Sequence, residues 1–98
     1  MSKPGYVYIM ASGMNGTLYI GVTSDLIKRV WEHRTDAVDG FTSKYSCKSL
    51  VYFERFDDIE IAIAREKAMK KWNRMRKLKR INAFNPPWRD LWPDIAKP

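Results

Sequence analysis

The chain has 98 residues, of which 45 % are hydrophobic and 30 % charged, as is ordinary for one globular domain. Its 18 Lys and Arg residues against 11 Asp and Glu residues give a net charge of +7. A polyanionic partner is therefore expected, nucleic acid before an anionic membrane surface. A single cysteine excludes an internal disulfide, and one cysteine with one histidine excludes a zinc site of about four such ligands.

The sequence predicts neither a membrane span nor a secretion signal. No apolar run approaches the roughly 20 residues that a span needs. The N-terminus has no basic segment followed by an apolar one. We therefore expect one cytoplasmic domain over residues 1–98, in which any catalysis uses Tyr, Glu, Arg, Lys and the single His.

The first predicted element is a β-hairpin that begins at Gly5. Two runs rich in Tyr, Val and Ile flank Asn15-Gly16, a turn dipeptide in which both residues tolerate positive φ. Strand alternation predicts one aliphatic face and one tyrosine face. A glycine within a strand often marks the close approach of another group, which is expected at Gly21. The aliphatic face would hold Val7, Ile9, Leu18, Ile20 and Val22, and the other Tyr6, Tyr8, Met10, Tyr19, Gly21 and Thr23.

A helix is predicted next, capped by Thr23 or Ser24. Its apolar residues recur at helical spacing. Arg29 and His33 are four residues apart, so they share a face at the edge of that stripe. Both are expected at the rim between core and solvent. Residues 35–49 follow no period and predict a loop that contains Lys44.

A strand over about residues 50–56 has apolar residues on both faces, so it is expected to be the central strand. The following helical segment begins at Asp57, in a capping box with Glu60. It should break near residues 73–76 and resume to about residue 83. In the tail, Trp88 and Trp92 are expected to fold onto the core, base stacking being the alternative. Residues 93–98 are expected to fray.

Glu66 occupies an unusual position on this helix, in the middle of the apolar stripe and about 20° from Ile59 in projection. Burying an unpaired carboxylate costs several kcal/mol, so two interpretations stand. Either Glu66 meets a cation, hydrogen-bond donors or a metal, or it pairs with Lys70 four residues on, on a partly exposed face.

Residues 65–80 are the most basic part of the chain, with nine Lys or Arg and Glu66 as the single acid. Basic runs are commonly solvated helix faces, and plain solubility is one interpretation here. A run without balancing acids more often faces phosphate. We therefore predict a nucleic-acid contact through this segment, with Lys70 and Arg74 among the substrate-binding residues.

The predicted elements follow the order β-β-α-β-α-α, and several polar residues lie at positions that are unusual for a hydrophobic core. Together these features resemble the GIY-YIG nuclease family. The second half of that family's signature is present unchanged as Tyr19-Ile20-Gly21. The first half corresponds to Tyr6-Val7-Tyr8, in which Tyr replaces Gly and Val replaces Ile. The signature tyrosines, Tyr8 and Tyr19, are eleven residues apart, and Arg29 follows ten residues after Tyr19. The tail over residues 85–91 also resembles small stand-alone bacterial members.

The resemblance covers about residues 5–85. It implies an α+β fold, a three-stranded antiparallel sheet flanked by helices. It also implies a metal-dependent endonuclease that hydrolyses DNA phosphodiester bonds, in repair or on branched DNA, with Mg²⁺ or Mn²⁺ as cofactor. The alternative is a nucleic-acid-binding module with weak or lost catalysis. Many family members carry a separate DNA-binding domain, so specificity here would come from the basic helix, a partner or a homodimer.

The family's roles transfer to individual positions. Glu66 would be the sole protein ligand of the metal, Tyr8 would activate or position the attacking water, and Tyr19 would orient water or phosphate. Arg29 would stabilise transition-state charge, and His33 would assist proton transfer. An Asn often braces the site, and Asn73, Asn82 and Asn85 are candidates. The expected substrate-binding residues are Gly21, Lys44, Lys70, Arg74 and Asn82.

Overall fold

The computed structural model describes residues 3–37 and 40–97, so Val38 and Asp39 of the predicted loop lie outside the described residues. The elements, in chain order, are β1 (Gly5–Ala11), β2 (Leu18–Thr23), α1 (Leu26–Arg34), α2 (Phe41–Lys44), β3 (Ser49–Phe56), α3 (Ile59–Lys70), α4 (Arg74–Phe84) and α5 (Trp92–Ile95). The strands form one antiparallel sheet with helices on both faces, which confirms the predicted α+β fold. No helix in the described ranges is long and apolar enough to cross a membrane.

The strand order is β2-β1-β3, so β1 and not β3 is the central strand. The prediction for β3 was wrong because apolar residues on both sides of a strand show that both sheet faces are covered, which also happens at an edge. Burial follows the observed order: six of the seven residues of β1 are buried, whereas the second half of β3 is partly exposed.

The two faces of the hairpin divide as the alternation predicts. Val7 and Ile9 pack with Ala62 and Met69 of α3 in one cluster. Tyr8 packs with residues of α1 in a second cluster on the other face. The sheet therefore separates an aliphatic layer under α3 and α4 from a tyrosine layer under α1.

The helix caps lie one or two residues later than predicted. Asp25, not Thr23 or Ser24, caps α1 by accepting from the Lys28 amide at 3.1 Å. The Thr23 hydroxyl instead accepts from the Asp25 amide at 3.1 Å. Similarly, Asp58 rather than Asp57 caps α3, since its carboxylate accepts from the Glu60 amide at 2.9 Å. Neighbouring polar side chains can each hydrogen bond the first amides of a helix, and the sequence spacing alone does not show which of them is the cap.

The tail folds back on the molecule, as expected for its tryptophans. Trp88 is 6 % exposed and joins the aliphatic cluster, and its Nε1 donates to Asn82 Oδ1 at 2.6 Å. Trp92 packs against the tyrosine-layer cluster. The expected fraying of residues 93–98 was wrong for residues 93–95, because the short helix α5 extends through Ile95, and Pro98 lies outside the described residues.

Asn85 fastens this tail to the sheet. Its side chain is buried, and Nδ2 donates to Val51 O at 3.1 Å and to Arg89 O at 2.8 Å. Its Oδ1 accepts from the Arg89 amide at 3.2 Å. Of the three asparagines considered, Asn73 caps α4 and Asn82 holds Trp88, so Asn85 is the one that joins the tail to β3.

We expect Asn85→Ala to lower the free energy of unfolding by about 2–4 kcal/mol, because buried backbone groups would lose their partners. Asn82→Ala is the matched control. Asn82 is exposed and its side chain makes one hydrogen bond, to Trp88, so this variant should lower the free energy of unfolding by about 1 kcal/mol. Urea unfolding of both variants measures the difference. Equal losses would contradict the assignment of Asn85 as the fastening residue.

Candidate active site

Tyr8 lies at the centre of a buried polar cluster. It is 1 % exposed, and its hydroxyl is 2.9 Å from His33 Nε2. The Arg29 guanidinium lies close enough to this hydroxyl to act against the rise of the Tyr8 pKa. A buried neutral phenol needs an acceptor for its hydrogen, and we assign that acceptor as His33 Nε2, its hydrogen-bond partner. The bond from Tyr8 to His33 thus joins the central strand to α1.

His33 is held on its other side by α2. Its Nδ1 is 2.9 Å from Thr42 Oγ1, and both residues are buried. With Nε2 accepting from Tyr8, Nδ1 carries the ring hydrogen and donates to Thr42. The expectation that His33 lies at the rim was wrong: it is 2 % exposed, because α2 closes over it. Thr42 lay in a stretch without periodicity, so nothing in the sequence marked it.

Burial controls the protonation of this pair. Burial raises the pKa of Tyr8 to about 12, although the hydrogen bond from Arg29 acts in the opposite direction. Burial, followed by the positive charge of Arg29, lowers the pKa of His33 to about 4. At neutral pH the site therefore holds a neutral phenol against a neutral imidazole.

Gly21 makes room for Tyr8. The two residues are directly opposite each other on β1 and β2. A Cβ placed on Gly21 would lie 2.5 Å from Tyr8 Cζ and closer still to the hydroxyl oxygen. The close approach predicted at this glycine is therefore made by the Tyr8 ring, so any effect of Gly21 on substrate acts through Tyr8.

Tyr19 and Arg29 form the accessible side of the cluster. Tyr19 is partly buried, and its ring centroid is 5.3 Å from that of His33 and 6.3 Å from that of Tyr8. The Arg29 side chain is 36 % exposed and pairs with Glu32 at 3.3 Å. A ligand in solution can thus reach Tyr19 and Arg29 first. Glu32, between Arg29 and His33 in sequence, is a member that sequence reasoning missed.

Of the two interpretations left open for Glu66, the structure shows the pair with Lys70 on a partly exposed face, and a metal at Glu66 stays a prediction. Its side chain is 13 % exposed, and its Oε2 is 3.2 Å from Lys70 Nζ. Lys70 in turn lines a pocket of about 240 Å³ with Tyr19, Phe41 and Lys77. The carboxylate therefore lies one helical turn from a residue that shares a pocket with Tyr19.

The other expected substrate contacts are distributed over the surface. Lys44 is exposed at the end of α2, with its Nζ 5.4 Å from the Tyr45 ring centroid. Arg74 donates to the carbonyls of Asn15 at 2.6 Å and Gly16 at 2.8 Å, which ties α4 to the hairpin turn. Asn82 is occupied by Trp88. Arg74 and Asn82 thus have structural partners, and their contact with substrate stays a prediction.

Tyr8, Tyr19, Arg29 and His33, the residues that the tyrosine signature singled out on the first two strands and α1, thus lie together in one cluster. The chain belongs to the GIY-YIG family: the model of the GIY-YIG catalytic domain, a nuclease domain, matches residues 4–82. This confirms the family that the tyrosine signature indicated.

Among its relatives is a UPF0213 protein of Staphylococcus saprophyticus, 35 % identical over 77 residues, which are 79 % of this chain and 93 % of that protein. A UPF0213 protein of Haloquadratum walsbyi is 36 % identical, over 79 % of this chain and 85 % of its own length. A third, of Natronomonas pharaonis, is 37 % identical over 79 % of this chain and 89 % of its own length. No solved structure is significantly similar to this chain.

The depressed pKa of His33 predicts an acid-sensitive stability. Unfolded histidine titrates near 6.5 and folded His33 near 4, so between these pH values the unfolded state binds more protons. Stability is therefore lost as the pH falls through this window. We expect His33 to contribute a decrease of about 2 kcal/mol between pH 7 and pH 5.

Urea unfolding of the wild type and of His33→Gln at the two pH values measures this contribution. Carboxylates titrate in both proteins, so the difference between the two pH dependences isolates the imidazole. The variant should show the shallower dependence. Parallel pH dependences would contradict a neutral, buried His33.

Proposed function

We propose that this protein is a metal-dependent endonuclease that hydrolyses DNA phosphodiester bonds, in repair or on branched DNA. The observation that supports this most is the convergence of Tyr8, Tyr19, Arg29 and His33 on one cluster beside a basic pocket. Phosphodiester cleavage needs positive charge at the phosphate and an oriented nucleophile, and these groups supply both.

Arg29 is the group that receives the scissile phosphate. Its guanidinium is partly exposed, pairs with Glu32 at 3.3 Å and lies near the Tyr8 hydroxyl. A non-bridging phosphate oxygen can replace or share the bond to Glu32. Because the charge of Arg29 lowers the pKa of His33, a bound phosphate that offsets this charge raises it again. Substrate binding thus makes His33 a better acceptor for the Tyr8 proton.

The two tyrosines have different parts in this proposal. Tyr19, at the pocket, orients the attacking water or the phosphate. Tyr8 activates the attacking water: its oxygen takes a proton from the water while its own proton passes to His33 along the 2.9 Å hydrogen bond, so the phenol stays neutral. The residues of the site therefore position charge and move one proton from the water to His33.

Glu66 is the proposed ligand of the divalent ion, Mg²⁺ or Mn²⁺. A carboxylate oxygen is the hard donor that these ions prefer, and Mg²⁺ keeps several waters and is held by one or two carboxylates together with substrate phosphate. Within residues 3–37 and 40–97 no three His, Cys, Asp or Glu side chains cluster, so Glu66 would be the single protein ligand of this ion. The ion would polarise the phosphate and stabilise the leaving oxygen.

The basic segment supplies the remaining contacts to the DNA backbone. Lys70 and Lys77 line the pocket next to Tyr19, one from α3 and one from α4. Around α4, the guanidinium of Arg76 lies 4.1 Å from the Trp72 ring centroid, which fixes its orientation. Cations on both helices can thus contact successive phosphates. A homodimer would extend this surface.

We expect Glu66→Gln to lower the cleavage rate by more than about 100-fold while it leaves DNA binding intact, because it removes the metal ligand and little charge from the surface. The purified protein is incubated with Mg²⁺ or Mn²⁺ and linear, flapped or four-way DNA. Glu60→Gln, an exposed carboxylate on the same helix, is the matched control and should cleave as the wild type does.

Cleavage that persists in Glu66→Gln would contradict the proposed metal ligand. Salt-sensitive binding by the wild type without any cleavage would favour the alternative, a nucleic-acid-binding module. One observation favours that alternative: Lys70 already neutralises the Glu66 carboxylate. The same panel of DNA structures also tests the preference for branched substrates.

A further inference from the structure

An exposed pair of aromatic rings lies next to the tyrosine cluster. Phe41, the first residue of α2, and Tyr45, the residue that follows α2, are each 44 % exposed. Their ring centroids are 4.6 Å apart, and the Phe41 ring lies 6.0 Å from that of Tyr19. The rings thus continue the aromatic surface from the buried site into solvent. Nothing in the proposed cleavage chemistry uses them.

This pair is fixed relative to the catalytic cluster. Thr42, the residue after Phe41, holds His33 through its hydroxyl, and its carbonyl accepts from the Cys47 amide at 2.9 Å. Because Thr42 is buried, α2 cannot shift without disturbing the His33 bond. The exposed rings therefore keep a constant distance from the Tyr8–His33 pair.

Ammonium groups surround the exposed rings. Lys44 lies over the Tyr45 ring, and Lys70 and Lys77 line the pocket of about 240 Å³ that Phe41 shares with Tyr19. Aromatic faces interleaved with cations are the pattern by which proteins bind single-stranded nucleic acid: bases stack on the rings while cations follow the backbone. A duplex offers no free base face, since its bases are stacked on each other.

Resting on the nuclease function proposed above, we infer that Phe41 and Tyr45 form a stacking platform for an unpaired base adjacent to the scissile phosphate. The preferred substrate is then single-stranded DNA, or DNA that is locally unpaired at the cleavage site. Lys44 and Lys77 contact the flanking phosphates. Base stacking on an aromatic side chain tolerates any sequence, so the platform selects strandedness rather than a base.

The test measures DNA binding without catalysis. Fluorescence anisotropy in EDTA gives the affinity of the full chain for a labelled single strand and for a hairpin duplex of the same sequence. In the wild type we expect the single strand to bind more tightly. The double variant Phe41→Leu/Tyr45→Leu should lose roughly 5- to 150-fold of its single-strand affinity and little of its duplex affinity.

Two further proteins control for fold and for general apolar loss. Phe41→Tyr/Tyr45→Phe keeps both rings and should bind the single strand as the wild type does. Phe84→Leu removes a ring that is 47 % exposed at the opposite edge of the sheet, against Tyr52 and Phe53, and should also bind normally. If the double leucine variant does not fold, Tyr45→Leu alone, at an exposed position, provides the comparison.

Equal losses for single strand and duplex, or no loss at all, would overturn the platform. A wild type that prefers the duplex would do so as well. Because no metal is present and no cleavage is measured, these results are independent of the nuclease assay. If the protein binds single strands through the platform but never cleaves DNA, the platform is supported and the proposed nuclease function is contradicted.

Discussion

The structure of the site depends on one buried hydrogen bond, between the Tyr8 hydroxyl and His33 Nε2 at 2.9 Å. It joins the central strand to α1, and the bond from His33 to Thr42 extends the connection to α2. Arg29 lies near the same hydroxyl and pairs with Glu32. A buried polar group without a partner costs on the order of 1–3 kcal/mol. Loss of any side chain in this series of hydrogen bonds would therefore leave its buried neighbour without a partner. The absence of a side chain at Gly21 is what admits the Tyr8 ring to this position.

Burial stabilises the Tyr8–His33 pair in its neutral form. The pKa of Tyr8 rises to about 12 and that of His33 falls to about 4, so proton exchange between them is unfavourable in the absence of added charge. A phosphate at Arg29 and a cation at Glu66 are the charges that the proposal adds. On this proposal the bound substrate activates the site, and in the absence of substrate the cluster stays neutral and inactive.

Much of this arrangement was predictable from the residues themselves. The alternation in β1 and β2 separated the tyrosine face from the aliphatic face, and the spacing of Arg29 and His33 placed them together on α1. The central position of β1 was not predictable. Apolar residues on both sides of β3 indicate that both faces of the sheet are covered, but they do not indicate the order of the strands. The burial of His33 was not predictable either, because it depends on Thr42 from a segment without any periodic pattern. The place of Phe41 was not predictable for the same reason: a four-residue helix is too short to show a periodic pattern.

The most direct test of the account is the single-turnover cleavage rate of Tyr8→Phe, measured against pH with saturating DNA and Mg²⁺. The substitution keeps the ring that fills the space at Gly21 and removes the hydroxyl that hydrogen bonds His33. The account predicts a protein that folds and binds DNA as the wild type does, with a rate about 10²- to 10⁴-fold lower and an altered pH profile. A variant that cleaves at the wild-type rate with an unchanged pH profile would contradict it.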